Sequence, residues 1–269
     1  MPRVIGIDPG TISVDICGLD DGRVFLDRSV PTAEALANPS VLIGLLNDAQ
    51  QAAPLDLVAG PSGYGLPLTN AQDLTEDDIT LAFLAAEGEP GGIGGLKLLM
   101  RAFKRSSLPI VVTPGVVHLA SVPLHRKVNR VDMGTADKVC VAALAVREQA
   151  RRRGCAEREV SFILIEMGGA FTAAIAVEHG RIVDGAGGSS GPLGARAAGA
   201  LDGEVAFLAG AISKRLLFTG GVATIAGTPG ATAEALAVPT TARGRLAWEA
   251  YVESAVKAVV ALTVSAPRT

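Results

Sequence analysis

Cysteine is rare in this chain, and the three present, Cys17, Cys140 and Cys155, are odd in number and show no C-x-x-C spacing. That excludes a disulfide framework and gives no sign of a zinc site, so the thiols read as reduced and structural. The three histidines, His118, His125 and His179, lack ligand spacing as well. No uninterrupted apolar run is long enough to span a bilayer, and Asp8 precedes any signal-like apolar core, so a cytoplasmic protein is expected. An excess of positive charge is lacking too, with 24 Lys and Arg against 27 Asp and Glu. With a formal net charge of -3, no overall basic field draws the chain to nucleic acid or to an anionic membrane. Its basic clusters are short, and the longest, Arg151 to Arg153, is read as a helix end before Gly154, where cations complement the dipole.

Hydrophobic residues make up 49% of 269 positions, enough for one large domain or two smaller ones. An internal repeat favours two. The stretch RVIGIDPGTISVDICGLDDGRVFLD, Arg3 to Asp27, is echoed without a gap by SFILIEMGGAFTAAIAVEHGRIVDG, Ser161 to Gly185. The overlay sets Asp8 on Glu166, Gly10 on Gly168, Asp20 on Glu178, Gly22 on Gly180 and Arg23 on Arg181. Each copy reads as strand, turn, strand, turn, strand. In each, an apolar strand ends in a carboxylate and then glycine, which lets backbone amides approach an anion. With the Thr11 hydroxyl, such a hairpin is equipped to hold a phosphate through its amides and a Mg2+ through its acid. A lone D-P-G-T is more often an ordinary turn; the second copy shifts the weight toward a phosphate clamp.

These motifs resemble the superfamily of acetate and sugar kinases, heat-shock chaperone ATPases and actin. Asp8, Gly10 and Thr11 fit its first phosphate motif, and Glu166, Gly168 and Gly169 its second, with Glu where Asp is commoner. More closely, I-G-I-D-P-G-T, G-P-S-G-Y-G-L-P-L-T (Gly60 to Thr69), D-M-G-T-A-D-K (Asp132 to Lys138), the second hairpin and A-L-D-G-E-V-A-F-L (Ala200 to Leu208) look like a family described as predicted butyrate kinases. The resemblance implies an α/β protein of two duplicated actin-like, ribonuclease-H-like domains around a nucleotide cleft, with ATP and Mg2+ as cofactors and Asp8 and Glu166 facing the metal. The domains are expected at 1–130 and 131–269. Members of the resembled family continue into a further strand with a Ser-Gly turn, so part of the adenosine site is expected beyond residue 269.

Along the first half, helices are expected from Asn38-Pro39, from Thr75 and over Leu96 to Ser106, with buried strands at Leu55 to Ala59 and Ile110 to Thr113. The glycine-rich stretch Gly88 to Gly95 lacks the lysine of a P-loop and reads as a flexible connection or lid. Gly60 to Thr69 follows a strand at its carboxyl end, where open sheets place ligands. Ser62, Tyr64 and Gly65 are its substrate candidates, against the alternative that the glycines and prolines only shape a turn. In the second half a long helix runs from Thr135 to Arg153; its first turn carries Asp137 and Lys138, suited to an anionic ligand or, for Asp137, merely to the helix dipole. Gly185 to Gly203 is either disordered or lies against a ligand, and Arg196 is its one cation. Arg215 to Thr219 reads as a strand entering Gly220-Gly221, a pair on which an adenine can lie and where the resembled superfamily places its adenosine motif. A last amphipathic helix spans Arg243 to Val264.

The leading expectation is an ATP-dependent phosphotransferase with a small carboxylic acid as acceptor. Lys138 and Arg196 are the candidates for neutralising the moving phosphoryl group. A carboxylate nucleophile needs no base, whereas an alcohol does, and Asp137 is then the candidate base. Two alternatives stand beside it: a nucleotide-switched ATPase acting on a protein partner, and a pseudo-enzyme of the same fold. A homodimer is compatible with each; nucleic-acid and membrane partners are not expected.

Overall fold

The computed structural model describes residues 2–10, 13–84, 92–212 and 214–267. The chain divides into two units, residues 1–118 and 119–269. Among the described residues no helix is long and apolar enough to cross a membrane.

The first unit is built on a six-stranded sheet in the order β3-β2-β1-β4-β6-β5. β1 (Arg3–Pro9), β2 (Ser13–Asp20) and β3 (Arg23–Pro31) form an antiparallel meander. Their alternation puts Ile5, Ile7, Val14 and Ile16 on the buried face. Two helices follow, α1 (Thr32–Ala37), not foreseen in the sequence, and α2 (Ser40–Ala52), which turns Leu42, Leu46 and Ala49 inward. β4 (Leu57–Gly60) pairs parallel with β1, and a short β5 (Thr69–Asn70) closes the far edge antiparallel to β6. α3 (Glu76–Phe83) starts with a reciprocal cap: the Thr75 hydroxyl accepts from the Asp78 amide at 3.1 Å, and the Asp78 carboxylate accepts from the Thr75 amide at 2.8 Å. α4 (Gly92–Arg105) brings Leu99, Met100 and Phe103 into the core, and β6 (Ile110–Val112) pairs parallel with β4.

The expected lid over Gly88 to Gly95 is corrected in part. Residues 88–91 lie outside the described residues, and 92–95 are the first turn of α4. A Cβ on Gly95 would stand 2.5 Å from Leu36 Cβ, so that glycine permits α4 to pack on α1.

The second unit opens with α5 (Leu124–Lys127) and α6 (Ala136–Arg153). α6 ends at Gly154 in the left-handed region (φ 62°), with Arg151 to Arg153 in its last turn, as its sequence implies. The meander β7 (Phe162–Met167), β8 (Thr172–Glu178) and β9 (Arg181–Ala186) forms a separate three-stranded sheet. Short helices follow: α7 (Gly203–Ala209), α8 (Lys214–Leu217), α9 (Val222–Ala226) and α10 (Ala233–Leu236). The long α11 (Ala242–Leu262) sets Ala247 and Tyr251 against Val222, Ala223 and Leu236 of α9 and α10. Further along, its Leu262 and the following Ala266 cover Ala174 and Ala176 of β8. The strand expected over Arg215 to Thr219 is absent. Lys, Arg and Leu are good helix formers, and 214–217 take that state, leaving a single bridge between Gly220 and Ala197.

Candidate phosphate-binding site

The duplication seen in the sequence extends to backbone detail. Asp8 pairs with Asp15 across the first hairpin, and Glu166 with Ala173 at the matching place in the second. The register slips between Gly18 and Leu19 in one meander and between Ala176 and Val177 in the other, again at matching positions. The far turns repeat too: Asp21 and Gly22 have φ 51° and 77°, His179 and Gly180 52° and 72°.

Each carboxylate-bearing strand ends in a glycine that nothing larger can replace without movement. A Cβ on Gly10 would stand 2.9 Å from the Ser13 carbonyl, and one on Gly168 3.2 Å from the Phe171 carbonyl. The amides of these glycines serve the turns themselves, Gly10 donating to Asp8 O at 3.2 Å and Gly168 to Phe171 O at 2.9 Å. That narrows the expected role of both, because their N–H groups are not held ready for an anion. Gly169 is exposed, with open space where a side chain would be. Asp8 is exposed at the end of β1, and Thr11 lies outside the described residues.

In the second unit the structure gathers most of the candidates into one cluster. α6 begins beside β7, and Lys138 Nζ donates to Glu166 Oε1 at 2.6 Å and to Asp137 Oδ2 at 2.5 Å. The Thr135 hydroxyl donates to Asp137 Oδ1, so both oxygens of that carboxylate are engaged. Burial disfavours the Lys138 charge, but the neighbouring Asp137 and Glu166 outweigh it and raise its pKa above the ordinary lysine value. Glu166 Oε2 is buried and has no hydrogen-bond partner. On the other side of the hairpin, Arg196 Nε donates to Gly169 O at 3.1 Å, and its backbone amide to Ala170 O at 3.0 Å.

Gly220 and Gly221 join this cluster for a reason different from the expected one. Gly221 is buried, donates its amide to Arg196 O at 2.8 Å, and would set a Cβ 2.5 Å from the Gly194 carbonyl oxygen. Close backbone approach to the Arg196 loop explains Gly221; Gly220, half-buried with φ 95°, makes the turn. Beside them Phe218 meets Phe171 edge to face, centroids 5.0 Å apart.

Sequence reasoning saw Asp132 only as one acid of a helix start. It is buried, and its carboxylate accepts from Gly134 N (3.2 Å), Ser189 N (2.8 Å) and Ser189 Oγ (2.9 Å), while its carbonyl accepts from Gly187 N (3.1 Å) and the Ser190 hydroxyl. A Cβ on Gly187 would fall 1.7 Å from Asp132 Oδ1. The Gly-Ala-Ser loop is thereby tied to the segment that leads into α6. An acid two residues before a Gly-Thr helix start, with paired serines in a glycine loop downstream, is the only signal the sequence offered for it.

The loop Gly60 to Thr69 is less open to a ligand than expected. Ser62 is fully buried and its hydroxyl donates to the Thr113 carbonyl; Gly65 (φ 104°) is buried, its Cβ direction filled by Gly115 at 2.1 Å. These two shape the loop. Leu66 points into the core at 5% exposure, Leu68 stands out at 69%, and Tyr64 is half-buried with its amide on the Ala82 carbonyl. Among the described residues, no three or more His, Cys, Asp or Glu side chains gather as a metal cage.

This architecture is that of the actin-like ATPase fold. Solved structures that share it include an acetate kinase from Porphyromonas gingivalis (TM-score 0.59, 14% identity, 98% of this chain and 80% of that one). A propionate kinase from Francisella tularensis superposes with TM-score 0.62 at 14% identity, over 98% and 80% of the two chains. A putative N-acetylmannosamine kinase from Listeria monocytogenes gives 0.52 at 13%, over 97% and 79%. At such identities the likeness is one of fold. Over residues 6–268 the chain matches the family described as "Protein of unknown function (DUF1464)", and it belongs to that family. No curated protein sequence matches it.

Proposed function

We propose that this protein is an ATP-dependent phosphotransferase whose acceptor is a small carboxylic acid, a butyrate-kinase-like reaction. The observation that carries the reading is the convergence on one phosphate-type hairpin of Lys138, bonded to Glu166, and Arg196, bonded to Gly169. One cation on the hairpin's carboxylate and a second on its turn suit phosphoryl transfer, where the protein's work is positioning and charge neutralisation. Glu166 in the second unit, and Asp8 at the matching place in the first, are each the carboxylate of its hairpin that would face Mg2+, which binds through one or two carboxylates plus phosphate oxygens and would supply charge neutralisation on the phosphates. The buried, unpartnered Glu166 Oε2 fits that demand, being a carboxylate oxygen with nothing yet to bind.

Asp137, the candidate base for an alcohol, is engaged by Thr135 on one oxygen and by Lys138 on the other, serving the cluster rather than standing apart from it. An acid already ionised at neutral pH needs no such base. Its carboxylate oxygen forms the bond to the terminal phosphorus of ATP as the bond to the bridging oxygen breaks, leaving ADP and an acyl phosphate. The motif resemblance to predicted butyrate kinases and the acetate- and propionate-kinase folds support the same acceptor class. A panel of two- to six-carbon acids and common sugars, assayed by ADP formation and by hydroxamate trapping of acyl phosphate, tests it. Turnover of the short acids with trapped hydroxamate is expected; turnover confined to sugars, or ATP hydrolysis raised only by a protein partner, would overturn it.

A further inference from the structure

Glu166 is an unusual carboxylate for a metal-facing position. Its Oε1 carries an ammonium, Lys138 Nζ at 2.6 Å, while its Oε2 is buried and unpartnered. Lys138 is itself shared with Asp137 at 2.5 Å, and its side chain is only 17% exposed. One cation thus serves two carboxylates, and the trio keeps a net negative charge in the absence of any ligand. A polyphosphate arriving without a metal meets that charge, and a metal arriving at Glu166 meets the lysine.

Resting on the reading above, we infer that Lys138 is the resident counter-cation of Glu166, holding in the metal-free protein the charge position that a divalent cation takes over. With Lys138 on Oε1, and Oε2 open to a metal, two cations would share one carboxylate, and their mutual repulsion makes each weaken the other's hold. Lys138 therefore has two states: shared between Asp137 and Glu166, or tethered to Asp137 alone with its ammonium turned to an anionic ligand. The device biases the site toward nucleotide that brings its own metal, because only then are both the carboxylate and the freed lysine satisfied. Asp137, itself held by the Thr135 hydroxyl, keeps the lysine at the site during the exchange.

The test uses Mn2+ alone, without nucleotide, followed by electron paramagnetic resonance on the whole chain. Wild-type protein is expected to bind Mn2+ weakly. Lys138→Met, which removes the charge and keeps the length, should bind it about tenfold or more tightly, a change equivalent to roughly one pKa unit of interaction. Adding Glu166→Gln to that variant should abolish the gain, and Lys138→Arg should behave as wild type. Unchanged Mn2+ affinity in Lys138→Met, or a gain that survives Glu166→Gln, would overturn the inference. A measurement on the wild-type protein guards against misfolding of the variant. Acetylation of Lys138 by acetic anhydride, read by mass spectrometry against the other lysines, should rise on Mg2+ titration and stay flat with Na+ at equal ionic strength; equal responses to the two salts would also overturn it. Neither measurement involves ATP, so a protein that fails to bind nucleotide would refute the phosphotransferase reading while leaving this exchange to be judged by itself.

Discussion

Replacing Asp132 tests whether the loop bearing Arg196 is held by one buried carboxylate. Asp132→Ala removes an acceptor of three hydrogen bonds, from Gly134 N, Ser189 N and Ser189 Oγ. Bonds to a charged acceptor contribute about 1.5–3 kcal/mol each, partly offset here by no longer burying a charge, so a net loss of about 3–4 kcal/mol is expected. Asp132→Asn keeps the shape, but whichever way the amide turns, its NH2 faces a backbone N–H; about 1.5–3 kcal/mol should be lost. Gly187→Ala drives a methyl to within 1.7 Å of Asp132 Oδ1 and should cost about 2 kcal/mol or more. The three closest atoms to that methyl all belong to the Asp132 side chain, so in the double Ala variant the clash vanishes and the costs should fall short of additivity by about 1 kcal/mol or more. Urea unfolding read by Trp248, the single tryptophan and a residue of the second unit, supplies the assay. A loss below about 0.5 kcal/mol in Asp132→Ala, or strict additivity of the pair, would refute the clasp.

Asp8→Asn should weaken binding of Mg-ATP far more than of ATP in chelator, since it removes a metal-facing charge and keeps the shape; equal losses by calorimetry would count against a metal role. Gly168→Ala should lower nucleotide affinity with a stability loss of about 1 kcal/mol, because the Phe171 carbonyl 3.2 Å from the new methyl must give way; unchanged affinity would show the turn to be a spectator. Glu148, bonded to Arg151 and Arg152, titrates at about 2, below its usual 4.5. Its contribution, small because the group is exposed, is present above pH 4.5 and lost as pH falls toward 2, and carbon-detected NMR at 1 M salt should find that pKa moved back upward. Lys138 has its pKa raised, so its ion pairs persist through neutral pH and are lost only above the ordinary lysine range; affinity for Mg-ATP should show no lysine-linked step between pH 6 and 9, on the order of the range that the shift leaves untouched.

What was legible in the sequence was what repeats locally. The two meanders declared themselves through period-two alternation and a gapless overlay, and the structure carries that overlay into matched bulges and turn angles. Gly154 and Arg151 to Arg153 likewise marked the end of α6 by chemistry within one turn. Where the physics was non-local, reading failed. Ser62 looks like an exposed loop hydroxyl until Thr113, 51 residues away, takes it. The Arg215 to Thr219 run was too short and too leucine-rich for periodicity to separate strand from helix. Lys138 and Glu166 are both site candidates by residue type and motif, but nothing in a spacing of 28 residues indicates that they touch. Asp132 was passed over because its partners sit in a loop whose small residues read as slack rather than as a close fit.

The central claim is that the second hairpin, with Lys138 on Glu166 and Arg196 on Gly169, binds a metal-bearing nucleotide. Isothermal titration of the whole chain with Mg-ATP and Mg-ADP, repeated in Glu166→Gln, tests it most directly. The account predicts one site per chain with a dissociation constant in the micromolar to sub-millimolar range, on the order of ordinary enzyme–substrate affinities, and at least about a tenfold loss in the variant. Absence of any binding at millimolar Mg-ATP, or affinity indifferent to Glu166, would contradict it.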